Sequence, residues 1–339
     1  MHTSDPQLWP EDEVAYVQAC FGRVLGRRPD PDEQAAALAL LRAVGRDAYL
    51  VALLESDTHR EQIADPPFVP PGHFYSPIPS NADIEAVAAG DWNPASLPGI
   101  DLHEQAQLDL LARMASGYSE LPFGEQPRGG ARYHYANPNY GYSDAIFLAL
   151  MVRELQPRRY IEVGSGDSSC ALLDAIDAFC ATPPEVTFVE PHPEYLQQLL
   201  GPEEARRIRL LPDRLQDVPL TEFECLAAGD VLFIDSTHVA KAGSDVNFLV
   251  FEILPRLAPG VVVHVHDVFY PFEYPIEWLR AGRAWNEQYV LRAFLEFNDA
   301  FEILLFGPFM VARHRAWFEQ HMPLCNRNPG GALWLRRSA

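Results

Sequence analysis

Two short runs in this sequence carry residues suited to acid–base or metal chemistry. Phe233-Ile234-Asp235-Ser236-Thr237-His238 and Val263-His264-Val265-His266-Asp267-Val268-Phe269 both bring acids and imidazoles to the end of an apolar, β-branched stretch. An imidazole with an unperturbed pKa of about 6.5 can take a proton from a hydroxyl near neutrality. His238, three residues after Asp235, is therefore the candidate general base, with Asp235 as its catalytic neighbour. Strand alternation puts His264 and His266 on one face and Val265 on the other. Asp235, His266 and Asp267 together offer oxygen and imidazole donors to a divalent ion. Mg2+ or Mn2+ suits such a set best, and another divalent metal stays open.

A third run, Ile161-Glu162-Val163-Gly164-Ser165-Gly166, sits where a first strand passes into a helix. Glycines there let the backbone turn tightly beside a ligand, while the helix start presents free N–H groups. A dinucleotide fingerprint would place a third glycine at 169, where this chain has Ser169. Glu190 ends the second strand, 26 residues after Gly164. A carboxylate so placed can accept both hydroxyls of an adenosine ribose. Asp213 follows the third strand, on the side where the base would lie. The candidate cofactor-binding residues are thus Glu162, Gly164, Ser165, Gly166, Glu190, Asp213 and Asp235.

These residues need a scaffold of alternating strands and helices. Strands are expected at Arg159–Val163, Glu185–Glu190, Ile208–Leu211, Asp230–Asp235 and Val261–His266. Helices are expected at 101–116, 144–155, Ser168–Ala178, Tyr195–Leu200, Val246–Leu257 and 286–298. Wholly apolar strands such as Val231-Leu232-Phe233-Ile234 suit a parallel sheet covered on both faces. Phe301–Phe306 and Ala332–Arg336 add a terminal antiparallel, hairpin-like pair. The expected class is α/β, a doubly wound, mostly parallel seven-stranded sheet, with a small all-helical module ahead of it. That module spans residues 1–64, with helices at Glu11–Arg23, Asp32–Val44 and Arg46–Glu55 around the turn Gly26-Arg27-Arg28-Pro29-Asp30-Pro31. Residues 65–127 read as a proline-rich linker or arm followed by a helix, and 128–339 as the catalytic domain.

The strand, the Glu-Val-Gly-Ser-Gly turn, the acid at Glu190 and the fourth-strand acid Asp235 together resemble class I S-adenosylmethionine (SAM)-dependent methyltransferases. The pattern is similar to the group labelled Methyltransferase family 24. The resemblance implies a Rossmann-like methyltransferase fold, SAM as cofactor, and transfer of a methyl group to a hydroxyl of a small molecule or sugar. Similar sugar and catechol O-methyltransferases hold a metal with acids from the ends of strands four and five, and use a histidine at the spacing of His238 as base. They carry two acids after strand five, where this chain has His266 and then Asp267. The first module resembles DUF4214 in its Leu25-Gly26-Arg27-Arg28-Pro29-Asp30 turn. That family is an accessory module and implies no catalytic role.

Composition narrows the partners. A formal net charge of −21, with Lys241 the only lysine, repels nucleic acid and anionic lipid. Five scattered cysteines contain no Cys-x-x-Cys pair and suggest neither a disulfide framework nor a cysteine zinc site. Met1-His2-Thr3-Ser4-Asp5 lacks the basic start and apolar run of a signal peptide, so a cytoplasmic protein is expected, free of membranes. Homo-oligomerisation is compatible with the sequence. N-methylation of a small molecule or peptide is the nearest alternative, because the fold does not dictate the acceptor atom. A non-catalytic SAM-fold scaffold is the alternative from another class. The aromatic runs 72–84, 137–145 and 269–289 are candidate walls or lids, with Glu273 and Arg283 as polar members of the last.

Overall fold

The computed structural model describes residues 10, 12–25, 27–56, 68–126 and 131–338. The expected helix start at Glu11, Gly26 of the turn, the prolines at 66 and 67 and the domain limits at 64/65 and 127/128 lie outside them. The chain divides into two compact units, 1–80 and 81–339. The stretch 81–127, expected as linker and helix, thus belongs to the second unit.

In the first unit, local capping sets the helices. Asp12 accepts the backbone N–H of Ala15 and opens Glu13–Val24. Asp30 and Glu33 form a reciprocal capping box around Pro31–Val44, whose proline occupies the first turn, where its missing N–H costs nothing. Gly45, at φ +81°, turns the chain into Arg46–Leu54. Tyr16, Val17, Cys20, Phe21, Leu41, Tyr49 and Leu50 close a small core between these helices.

The second unit is built on a seven-stranded sheet of order β3-β2-β1-β4-β5-β7-β6. Its strands are β1 Arg159–Val163, β2 Glu185–Val189, β3 Ile208–Leu211, β4 Val231–Ile234, β5 Val262–Val265, β6 Phe301–Phe306 and β7 Leu333–Arg337. The first five are mutually parallel, and β7 runs antiparallel between β5 and β6. This is the expected doubly wound α/β sheet. Every residue of β4 and β5 is buried, because helices cover both faces. Tyr142–Leu155 and Asp167–Phe179 supply much of that cover, with long unbroken runs of buried residues.

Four details differ from the sequence reading. The proline-rich arm contains a helix, Asn81–Ala88, whose Ile84 packs with Tyr274 and Leu279 and whose Glu85 pairs with Arg280. β6 and β7 are antiparallel neighbours but not a hairpin, since helices Gly307–Arg313 and Arg315–His321 lie between them. The expected helix 246–257 is an α-turn at Asp245–Phe248, a π-helical stretch at Leu249–Ile253 and a 3-10 turn at Leu254–Arg256. Pro255 has no N–H to donate and disrupts the regular ladder there. His264, on the same strand face as His266, does not share its cavity. It is fully buried, with its ring 4.2 Å from that of Phe233 and 4.5 Å from that of Trp334, and burial drives its pKa well below the usual imidazole value. Among the described residues no helix is long and apolar enough to cross a membrane.

Candidate active site

The strand order reverses between β1 and β4, where a doubly wound sheet leaves a crevice at its carboxyl edge. Gly164 and Asp235 sit on its two sides. Gly164 has φ +82°, and a Cβ there would fall 1.8 Å from the Asp235 carbonyl oxygen. Only glycine permits that approach. The Gly164 N–H donates to Val189 O and the Asp235 N–H to Val163 O, so three strand ends are stitched together at the turn.

Three cavities meet here, all lined by Asp235. One of about 370 Å³ is walled by Gly164, Glu190, Leu215, Thr237, Gly243 and Asp245, among others. A second, about 250 Å³, lies over the turn between Ser165, Gly166, Asp167, Glu190, Tyr195 and Asn139. The third, about 850 Å³, contains Asp144, His238, His266, Asp267, Trp278 and Trp285. The first two suit the nucleoside and amino-acid ends of an extended cofactor, and the third suits an acceptor.

The turn's own hydrogen bonds assign the predicted residues. Glu190 accepts the N–H groups of Ser165, at 3.0 Å, and His192, at 2.8 Å, which fixes its carboxylate at the junction of the two smaller cavities. The Ser165 hydroxyl is buried without a protein partner, a donor left for a ligand. These features fit SAM. Glu190, Gly164, Ser165 and Asp235 would hold it, and Asn139, Asp167 and Tyr195 join them. The Asn139 amide and the Tyr195 hydroxyl both donate to Asp167 Oδ2, at 2.7 and 2.9 Å, bridging the middle cavity.

Two expected cofactor contacts are corrected. Glu162 is fully buried, and its Oε1 accepts the hydroxyls of Ser168, at 2.6 Å, and Ser169, at 2.9 Å. It braces the turn from beneath instead of lining a cavity. Asp213 is exposed and lines none of the three cavities, whereas its successors Arg214, Leu215 and Gln216 line the first.

Burial raises the Glu162 carboxyl to about 8, although the two serine hydroxyls oppose the shift. A folded pKa above the unfolded value near 4.3 contributes stability at low pH that is lost as pH rises through about 8. Glu162→Gln keeps an acceptor for both serines and cannot ionise. Its melting temperature relative to wild type is therefore expected to climb between pH 5 and pH 8.5, equivalent to roughly 3–5 kcal/mol. Parallel melting curves with pH would contradict the buried carboxyl.

His238 lies at the floor of the large cavity, almost fully buried, with φ +59°. Its Nδ1 is 2.9 Å from Glu287 Oε2, and its Nε2 is 3.3 Å from Asp235 Oδ1 and 3.7 Å from Asp267 Oδ2. Burial disfavours the charged ring, but the carboxylates of Asp235 and Glu287 outweigh it and raise the pKa to about 10. The unperturbed value assumed from sequence does not apply. Burial would also raise Asp235, yet His266 and His238 hold it below the usual carboxylate range. His266 faces Asp267, with Nε2–Oδ1 3.6 Å, and Asp144, with Nδ1–Oδ1 4.0 Å.

Asp235, His266 and Asp267 therefore line one cavity, as expected, but not as a ligand set. Among the described residues no three His, Cys, Asp or Glu side chains converge to hold a metal ion. Asp235 instead faces the His238 ring, and the Asp267 carboxylate lies between the His238 and His266 rings. Glu287 and Asp144 were absent from the sequence reading. Asp144 is buried and accepts the N–H of Gly331. Of the aromatic runs, Asn137, Pro138, Asn139 and Tyr140 line the large cavity, as do Phe269, Trp278, Arg283 and Trp285, while residues 72–84 line none of the three. Glu273 bonds Tyr289 away from the cavity.

A seven-stranded doubly wound sheet with a nucleoside-sized crevice, a glycine turn and a strand-end acid on the crevice defines a class I SAM-dependent methyltransferase. A family described as "Methyltransferase domain" matches residues 161–268. An uncharacterised protein of Archaeoglobus fulgidus is 31% identical over 163 residues, covering 46% of this chain and 73% of that protein. The chain belongs to this methyltransferase family. Solved structures to which it is similar include two methyltransferases. The O-methyltransferase TomG of Streptomyces achromogenes, in complex with SAM, has a TM-score of 0.38 at 15% identity, covering 68% of this chain and 90% of that one. The SAH-bound methyltransferase PaMTH1 of Podospora anserina has a TM-score of 0.39 at 13% identity, covering 77% and 97%.

Proposed function

We propose that this enzyme methylates a hydroxyl group of a small molecule or sugar held in the 850 Å³ cavity. The observation that carries this reading is the His238 ring, set between Glu287 and Asp235 on the floor of that cavity, at the junction with the cofactor crevice. SAM supplies an electrophilic methyl and its own leaving group, so the protein's part is to orient, desolvate and deprotonate.

Glu287 fixes which imidazole nitrogen faces the cavity by binding Nδ1, which leaves Nε2 on the side of Asp235 and Asp267. An acceptor hydroxyl replacing the Asp235 contact would give its proton to Nε2 of the neutral ring. Trp285, with its ring 4.5 Å from that of His238, covers the imidazole and keeps bulk water from it. Tyr140, Phe269 and Trp278 continue an aromatic wall against which a flat ring or a sugar face can stack. Among the described residues no three His, Cys, Asp or Glu side chains converge on a metal position, so deprotonation falls to the imidazole.

Purified enzyme with methyl-labelled SAM should transfer label to hydroxyl acceptors and not to matched amines, with the product an O-methyl ether by mass spectrometry. Label found only on nitrogen would replace this reading with N-methylation.

A further inference from the structure

The large cavity carries a cation that the proposed chemistry does not use. Arg283 lines it, with Cζ 4.1 Å from the Trp278 ring centre and 5.1 Å from that of Trp285. Its neighbour Arg280 is committed to Glu85, but Arg283 makes no ion pair among the described residues. In a chain of 47 acids against 26 bases, a guanidinium held by two indoles and facing a cavity is an unusual placement. Contact with two aromatic faces restricts the side chain while leaving its N–H fork free, the arrangement that favours bidentate capture of a carboxylate or phosphate.

Resting on the reading of this cavity as the acceptor site, we propose that the acceptor is anionic and that Arg283 binds its carboxylate or phosphate, with the hydroxyl directed to His238. The spacing supports this orientation. Both His238 and Arg283 contact the Trp285 ring, so imidazole and guanidinium lie within about 10 Å of one another. A six-membered ring with a hydroxyl and an anionic group on opposite sides fits within that limit. The charges around it agree. Four carboxylates, Asp144, Asp235, Asp267 and Glu287, outnumber the two imidazoles at the His238 and His266 end, so the acceptor's anion is drawn to the indole-held guanidinium instead. The backbone secures that position, since the Arg283 N–H donates to Trp278 O at 3.0 Å.

The test uses the 339-residue chain saturated with S-adenosylhomocysteine, read by tryptophan fluorescence because Trp278 and Trp285 flank the guanidinium. The probes are 4-hydroxybenzoate, its neutral amide and inorganic phosphate. The expected result is saturable binding of 4-hydroxybenzoate at least tenfold tighter than the amide, competed by phosphate. Arg283→Gln should abolish the preference and Arg283→Lys should keep part of it, both with unchanged S-adenosylhomocysteine affinity by calorimetry. Equal binding of acid and amide, no binding of either, or an intact preference in Arg283→Gln would overturn the proposal. Failure of S-adenosylhomocysteine itself to bind would instead sink the methyltransferase site, so the two failures are distinguishable.

Discussion

His238→Ala is expected to lose about 10²–10⁴-fold in turnover while SAM affinity, measured by calorimetry, stays within a few fold. The ring lines the large cavity and neither of the two smaller ones, so its loss should spare the cofactor. The pH profile gives a sharper readout. With the folded pKa raised to about 10, the neutral ring is scarce at pH 7 and becomes more abundant as pH rises. Turnover should therefore increase with pH through the alkaline range, in proportion to the unprotonated fraction. Glu287→Gln removes one of the two carboxylates that hold the proton, and should move the rise to lower pH, with a larger relative rate near neutrality unless the ring also loses its orientation. A rate in His238→Ala equal to wild type, or a Glu287→Gln profile with an unmoved inflection, would remove His238 from the chemistry.

Gly164→Ala should be the most damaging single methyl group in the catalytic unit. The position combines φ +82° with a Cβ placed 1.8 Å from the Asp235 carbonyl oxygen, so the β1 and β4 ends must separate to admit it. Gly229 provides the control, with φ +87° and nothing near a new Cβ. Gly229→Ala should cost only the left-handed backbone penalty, about 1–2 kcal/mol. Gly164→Ala should cost about 4 kcal/mol or more by denaturant unfolding, and the surviving folded protein should bind SAM at least 100-fold more weakly. Equal losses in the two variants would mean that the close approach is relaxed at little cost.

Much of this could be read from the sequence for a simple reason. β-branched apolar runs bounded by turn residues mark strands directly, and β1 and β3 lie where the pattern puts them, with β2, β4 and β5 one residue shorter at an end or at both. Residues at strand ends inherit their place from the strand, so Asp235, His238, His266 and Asp267 were found together. Partners from distant parts of the chain were not legible. Glu287 is 49 residues from His238 and lies at the start of a helix, where an acid is ordinarily a solvated first-turn residue. Asp144 likewise opens a helix, yet it is buried against a glycine near the end of the chain. Its position in the Glu-Val-Gly-Ser-Gly motif marks Glu162 as a cofactor contact, but a motif does not show what covers a side chain. Here Ser168 and Ser169, from the next helix, close over it.

The placement of β7 has a consequence for how the enzyme comes into being. Asn328, Gly330 and Gly331, just ahead of that strand, line the acceptor cavity, and Gly331 accepts the Val268 N–H while donating to Asp144. The cofactor crevice, by contrast, is made wholly of residues up to 245. On the ribosome, the residues that line the crevice thus emerge nearly ninety residues ahead of the last wall of the large cavity, and the sheet that holds both is complete only when β7 takes its place between β5 and β6.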